Sequence, residues 1–339
     1  MGQGKERMTE DLMAGKRALV TGAGGFIGSH LVEALVRSGA AVSALVRYNA
    51  DAAIGNLRLV PPEVRDAVQI VHGDLNDSDF VRRLVDKVEV VFHLGALIAI
   101  PHSYAAPRSY IQTNVEGTLN VLEAVRDGGQ RLIHTSTSEV YGSARYVPID
   151  EAHPLQAQSP YAATKIGADK LVESYVRSFG VEAVTVRPFN TFGPRQSARA
   201  FIPTVIGQVL GGSDVVQLGA TAPVRDLTYV TDTVAGFIAA AASSEAQGGT
   251  YNLGTGHGES VGEVAARIIA LMGSSARIEL DPKRLRPAGS EVDRLISANG
   301  AFRKATGWSP EVTLDEGLKR SIAFFSEHPD LLPKSGYVT

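Results

Sequence analysis

The chain has 339 residues, 44% of them hydrophobic and 20% charged, with a formal net charge of −3 and no cysteine. A chain of this length buries a full core and is expected to build two lobes, while the lack of cysteine excludes disulfides, thiolate metal sites and a cysteine nucleophile. Mild acidity without a long basic run argues against nucleic acid or an anionic membrane surface as a partner, and the scattered histidines have no ligand spacing, so no metal is expected.

Segment 1–14 is charged and lacks the apolar stretch of a secretory signal, so it is read as a disordered leader and the protein as cytoplasmic. A first strand over 17–21 runs into Gly22, Gly25 and Gly28, then into a helix over 29–38. Glycines at this spacing between strand and helix supply a tight turn, close approach to a pyrophosphate and close helix–strand packing. The helix N-terminus, with Phe26 and Ile27 beside it, then offers free N–H groups to the phosphates.

A second strand over 41–46 ends at Val46, where a site selective for NAD usually carries an acid on the ribose hydroxyls. The next residue, Arg47, suits a 2′-phosphate, which points to NADP. The plainer alternative, compatible with NAD, has Arg47 stacking on the adenine or facing water. After a third strand over 68–72, Asp74 is expected to accept from the adenine amino group while Leu75 packs on the ring. A fourth strand over 88–93 leads to Leu94 and Ala96, small or apolar residues suited to close cofactor contact. The most apolar stretch, 90–100, stops at Pro101, far short of the ~20 residues of a membrane span.

Helix 110–126 follows, and its outer face, with that of helix 161–179, is expected to build a homodimer; the alternative is packing on the sheet alone. Between them a buried strand over 131–134 ends at Thr135-Ser136-Thr137-Ser138-Glu139. Residues beyond the carboxyl ends of such strands carry the chemistry of open α/β sheets. Tyr161 and Lys165 stand at i, i+4 in the next helix and so share one face. An ammonium beside the phenol is expected to lower a pKa that is ordinarily about 10, making the pair a base for an alcohol proton. A fifth strand over 182–187 leads through Pro188 into Asn190 and Arg195, where Pro and Gly mark a crossing between lobes. With Arg225 and Arg286 farther on, these residues are read as holding a phosphorylated substrate.

Together, the glycine turn, Asp74-Leu75, Tyr161-x-x-x-Lys165, Pro188-Phe189-Asn190 and Arg225-Asp226 resemble the extended short-chain dehydrogenase/reductases acting on nucleotide sugars, over residues 15–328. The resemblance implies a Rossmann-type α/β fold, a doubly wound parallel sheet with a smaller α/β C-terminal substrate lobe. The expected division is 15–188 plus 226–253 for the NAD(P)-binding domain and 189–225 plus 254–330 for the nucleotide-sugar domain. The stretch Ser136 to Gly142 is similar to the active-site strand of the 4,6-dehydratases and of the glucuronate decarboxylases. Stretches 45–49, 93–101, 146–151 and 194–200 are similar to the N-acetylglucosamine-nucleotide 4,6-dehydratases of legionaminic acid biosynthesis. The last are usually NAD-dependent, whereas the Val46-Arg47 pair resembles the NADP-dependent GDP-mannose enzymes.

The implied reaction is an internal redox dehydration of a nucleotide-diphosphate sugar. Tyr161 and Lys165 act as base on the 4-hydroxyl, Thr137 orients it, and Glu139 removes the C5 proton as the 6-hydroxyl leaves. Glucose 4,6-dehydratases carry an aspartate as the acid where this chain has Ser138, so Glu139 or a water takes over that proton. The alternatives are a UDP-glucuronate decarboxylase, a 4-epimerase and a non-catalytic NADP-sensing binding protein.

Overall fold

The computed structural model describes residues 12–285 and 288–332. Arg286 and most of the expected leader lie outside the described residues. Met13, within the expected leader, is buried at 2% exposure against the core.

Seven parallel strands form the central sheet: β1 (Arg17–Thr21), β2 (Ala41–Arg47), β3 (Gln69–Gly73), β4 (Val90–His93), β5 (Arg131–Thr135), β6 (Ala183–Pro188) and an edge strand, Thr250–Leu253. The order, with the edge strand first, continues β6-β5-β4-β1-β2-β3. Successive side chains point to opposite faces, and both faces are buried, so these strands read as apolar runs rather than alternations. On one face, Ala18, Val20, Val42, Ala44 and Phe92 pack under helix α1 (Phe26–Arg37) and the Val230–Ala242 helix. On the other, Leu19, Leu45, Val91 and Leu132 pack under the Ser78–Val85, Gly117–Gly128 and Pro160–Phe179 helices. Fully burying a leucine or valine stabilises by ~1.5–3 kcal/mol, and α1 contributes Leu31, Val32 and Leu35 in this way.

The strand order reverses between β1 and β4, and the crevice beyond their carboxyl ends is where such sheets bind ligands. The remaining short strands and the Phe201–Leu210, Val261–Leu271 and Leu314–Glu327 helices form a smaller C-terminal layer over that end. It shares the first core through Phe192, Ile202, Leu318 and Phe325. Among the described residues no helix is long and apolar enough to cross a membrane, and no cluster of acidic or histidine side chains could hold a metal.

Two expectations change. Helix α1 starts at Phe26 rather than at residue 29, directly on Gly25. The expected helix over 110–126 contains a π turn, Ile111–Glu116, before the regular Gly117–Gly128 segment. Asn114 in that turn accepts from Leu97 N at 2.8 Å and donates to Leu97 O at 2.9 Å, anchoring the loop after β4.

Candidate active site

The chain leaves β1 through Gly22, at φ 69°, and a Cβ there would stand 2.8 Å from the Gly95 backbone. At Gly28 a Cβ would lie 2.3 Å from the Gly22 carbonyl oxygen, so α1 packs against the turn only because that position lacks a side chain. Gly25 caps α1 without any side-chain hydrogen bond, leaving the first helical N–H groups open to an anion. These groups border a cavity of about 740 Å³ at the switch point. Such a cradle fits the pyrophosphate of a dinucleotide.

Of the residues expected at the cofactor, Gly22, Gly25, Phe26, Ile27, Gly28, Arg47, Leu94, Ala96, Tyr161 and Pro188 line this cavity. Asp74 and Leu75 line a smaller compartment of about 160 Å³. Arg47 is exposed and borders both. Glu139 and Asp74 are the carboxylates among the lining residues, and neither is at the end of β2. The floor is fixed by Thr21, whose hydroxyl accepts from Gly95 N at 2.9 Å and meets His93 Nδ1 at 2.9 Å.

Strand β5 delivers the candidate catalytic stretch, which turns through a single 3₁₀ turn, Ser138–Tyr141. Thr137 Oγ1 accepts from Glu139 N at 3.2 Å and caps that turn. The Tyr161 helix begins on Ser159, whose hydroxyl accepts from Ala162 N, with Pro160 in the first turn. This places the Tyr161 phenol beside Thr137 and within the field of Glu139. Thr137, Ser138, Glu139 and Tyr161 thus meet on one wall of the cavity.

The expected lowering of the phenol is not what the structure gives. Burial pushes Tyr161 above its ordinary value, opposed by Thr137 and reinforced by Glu139. Lys165 sits behind the wall and donates to the Thr135 carbonyl at 2.5 Å. Burial pushes its ammonium down to about 8, while Asp169 raises it.

The expected substrate residues divide. Asn190 lines the cavity. Arg195 does not; its guanidinium bonds Glu33 of α1 at 2.5 Å, and its carbonyl accepts from Asn56 Nδ2 at 3.0 Å. Arg195 is therefore tied to α1 in this structure, drawn to an acid that the sequence places far upstream. Arg225 also lies off the cavity lining, donating to Val224 O and pairing with Glu291 at 3.5 Å. Gln196, Ser197 and Ala200, offered by the sequence only within the 194–200 resemblance, line the cavity, and the 53–55 segment lines it without a sequence signal. Thr135 Oγ1, Asn190 Oδ1 and Gln196 Oε1, all on lining residues, are buried without a partner, as expected where a polar ligand completes the site.

The GDP-mannose 4,6 dehydratase family model matches residues 19–321. A UDP-glucose 4-epimerase of Mycolicibacterium smegmatis is 33% identical over 316 residues, 91% of this chain and 98% of that protein. A dTDP-glucose 4,6-dehydratase of Mycobacterium tuberculosis is 40% identical over 224 residues, 64% of this chain and 66% of that one. The solved dTDP-glucose 4,6-dehydratase of Streptomyces venezuelae, with NAD bound, superposes with a TM-score of 0.83 at 29% identity, covering 93% of this chain and 98% of that chain. A phosphate cradle at the switch point, a tyrosine and glutamate on one wall, and these likenesses lead to one conclusion: the chain belongs to the GDP-mannose 4,6-dehydratase family of nucleotide-sugar short-chain dehydrogenase/reductases.

Proposed function

We propose that this protein is a nucleotide-sugar 4,6-dehydratase that converts an NDP-hexose, foremost an NDP-N-acetylglucosamine, to its 4-keto-6-deoxy derivative. The observation that carries this reading is Glu139 on the same wall as Thr137 and Tyr161. Epimerisation at C4 needs one base at the 4-hydroxyl, whereas dehydration needs a second at C5. Glu139 supplies the second.

Tyr161 takes the 4-hydroxyl proton, with Thr137 orienting that oxygen. A bound nicotinamide would supply the redox chemistry, taking hydride from C4 and returning it to C6 as a solvent proton enters C5. The 4-ketone acidifies C5, and Glu139 removes that proton as the 6-hydroxyl departs. Ser138, a poor acid at 3% exposure, leaves Glu139 to hand the proton on to the departing oxygen as water forms. Asn190, on the cavity lining, would hold the nucleotide diphosphate, and an assignment of Arg225 to it requires its Glu291 pair to open.

Arg47 beside both compartments, with no acid at the end of β2, supports NADP; the NAD in the similar Streptomyces structure supports the other cofactor. A homodimer through the 110–126 and 161–179 faces is part of the proposal, with Ile111 and Phe179 exposed on them, as is a cytoplasmic location. A 4-epimerase is the second reading, favoured by the Mycolicibacterium smegmatis relative.

Incubation with UDP- and GDP-N-acetylglucosamine, dTDP-glucose and UDP-glucuronate in D2O, followed by mass spectrometry, decides between them. Loss of water with one deuteron at C5 is expected. Loss of carbon dioxide would mean a decarboxylase, and C4 inversion at unchanged mass an epimerase. No turnover at all would favour the binding-protein alternative.

A further inference from the structure

Behind the catalytic wall lies a buried ionic cluster that the dehydration scheme does not use. Asp169 follows Lys165 by one turn of the Pro160–Phe179 helix, and the two are sealed at 5% and 4% exposure. One Asp169 oxygen accepts from Ser136 Oγ at 2.8 Å and from Arg187 Nε and Nη2 at 3.1 and 2.9 Å. The other meets His134 Nε2 at 3.3 Å. Ser136 adjoins Thr137, and Arg187 adjoins Pro188, so one carboxylate ties the tyrosine helix to both strands that end at the cavity. Arg187 reaches on to the Tyr141 hydroxyl at 2.9 Å, which donates to Asn252 Oδ1 at 2.7 Å on the edge strand.

Lys165 and Arg187 are two buried cations beside the buried carboxylate of Asp169, and the half-buried Glu151, which accepts from Asn252 N at 2.8 Å, lies in the field of Arg187. His93 and His134, stacked with centroids 5.8 Å apart, are held neutral by burial. A buried carboxylate persists only when its lone pairs are taken up, and the four contacts above do so.

We propose that Asp169 is a positioning residue for the Tyr161–Lys165 pair, locking the phenol-bearing helix to the strand that carries Thr137 and holding a buried carboxylate one helical turn from the ammonium. It rests on the reading of Tyr161 as the base but concerns a residue that does not line the cavity. The groups facing Lys165 are Tyr161 and Asp169 on its own helix, His93 on β4 and His134 on β5. Arg187 of β6 stands beyond Asp169, and Glu139 stands on the cavity side of the phenol. Asp169 alone among them draws the Lys165 proton affinity upward against burial.

Lysine labelled with 13C at Cε, titrated by NMR in the full chain and assigned with Lys165→Met, reads that ammonium without any substrate. The wild type is expected to titrate near 8, and Asp169→Asn about one pH unit or more lower, with Asp169→Glu returning towards wild type. The alkaline limb of kcat should move with it, while KM stays within about 2-fold. The double variant Asp169→Asn, Arg187→Gln serves where Asp169→Asn does not fold, since it leaves no unpaired guanidinium: its midpoint should lie below that of Arg187→Gln alone, whereas a purely structural Asp169 would leave the two equal. A folded Asp169→Asn with Lys165 unshifted, or a double variant level with Arg187→Gln, overturns the proposal. A shifted Lys165 in a protein whose wild type dehydrates nothing overturns the dehydratase reading alone.

Discussion

The Lys165 ammonium donates to the Thr135 carbonyl at 2.5 Å, so the helix that carries the phenol is pinned to the strand that carries Thr137 and Glu139. The two bases of the proposed reaction thereby keep one spacing. They remain chemically separable. Glu139→Gln is expected to cut dehydration by about 10²–10⁴-fold while leaving C4 oxidation intact. Reduced nicotinamide absorbance near 340 nm should then build up on mixing with substrate. Loss of both signals together would mean that Glu139 serves binding rather than C5 chemistry.

Arg47 decides cofactor choice in the proposed reading. A charge-assisted hydrogen bond to a 2′-phosphate contributes about 1.5–3 kcal/mol. Arg47→Ala should therefore weaken NADP binding by ~10- to 100-fold and leave NAD nearly unchanged in calorimetry. Equal weakening of both would place the guanidinium on the adenine instead.

Arg195 distinguishes a structural tie from a substrate contact. Breaking a well-buried ion pair by removing one partner costs ~3–5 kcal/mol, and Arg195 and Glu33 keep 8% and 17% side-chain exposure. Arg195→Ala should lower the urea midpoint accordingly, and Glu33→Gln should do nearly the same, their effects overlapping in the double variant. Unchanged stability with a raised KM for the nucleotide sugar would restore the diphosphate role.

His30 gives the fold an acid-sensitive latch. Its Nε2 meets the Pro194 carbonyl at 2.9 Å, and burial, helped by Arg195, pushes it down to about 4. The unfolded chain takes up this proton below about 6.5, whereas the folded one resists it until about 4. Stability contributed by neutral His30 is thus fully present above about 6.5 and falls as pH drops towards 4, by at most about 3 kcal/mol. Melting temperatures of wild type and His30→Gln should converge over that window. Parallel pH curves would remove His30 as the cause.

Much of the candidate catalytic wall was legible because its signals are local. Thr137 and Glu139 follow an apolar run, and Tyr161 and Lys165 share a helical face regardless of what packs on it. Ionic partners were not legible. Glu33 lies 162 positions from Arg195, and Asp169 looks like an ordinary i+4 neighbour of Lys165 until β5 and β6 bring His134 and Arg187 to it. The phenol was misjudged for the same reason, since how deeply Tyr161 is buried depends on Ile100 and Tyr110 from another element. The Phe201–Leu210 helix was not singled out from the sequence; its Pro203 stands in the first turn, where a proline removes no helical hydrogen bond.

The π turn at Ile111–Glu116 gives the chain a phase setting. Its wide turn holds one residue more than a regular helix, and each residue rotates the helix by about 100°. Deleting one residue ahead of Asn114 would yield an unbroken α-helix while swinging the carboxamide away from Leu97, to which it is bonded in both directions. The Gly117–Gly128 segment could keep its seat on the sheet, yet the loop leading to Ala96 would lose its clasp. This segment is therefore expected to tolerate many substitutions but no change of length, a constraint that residue identities alone would not disclose.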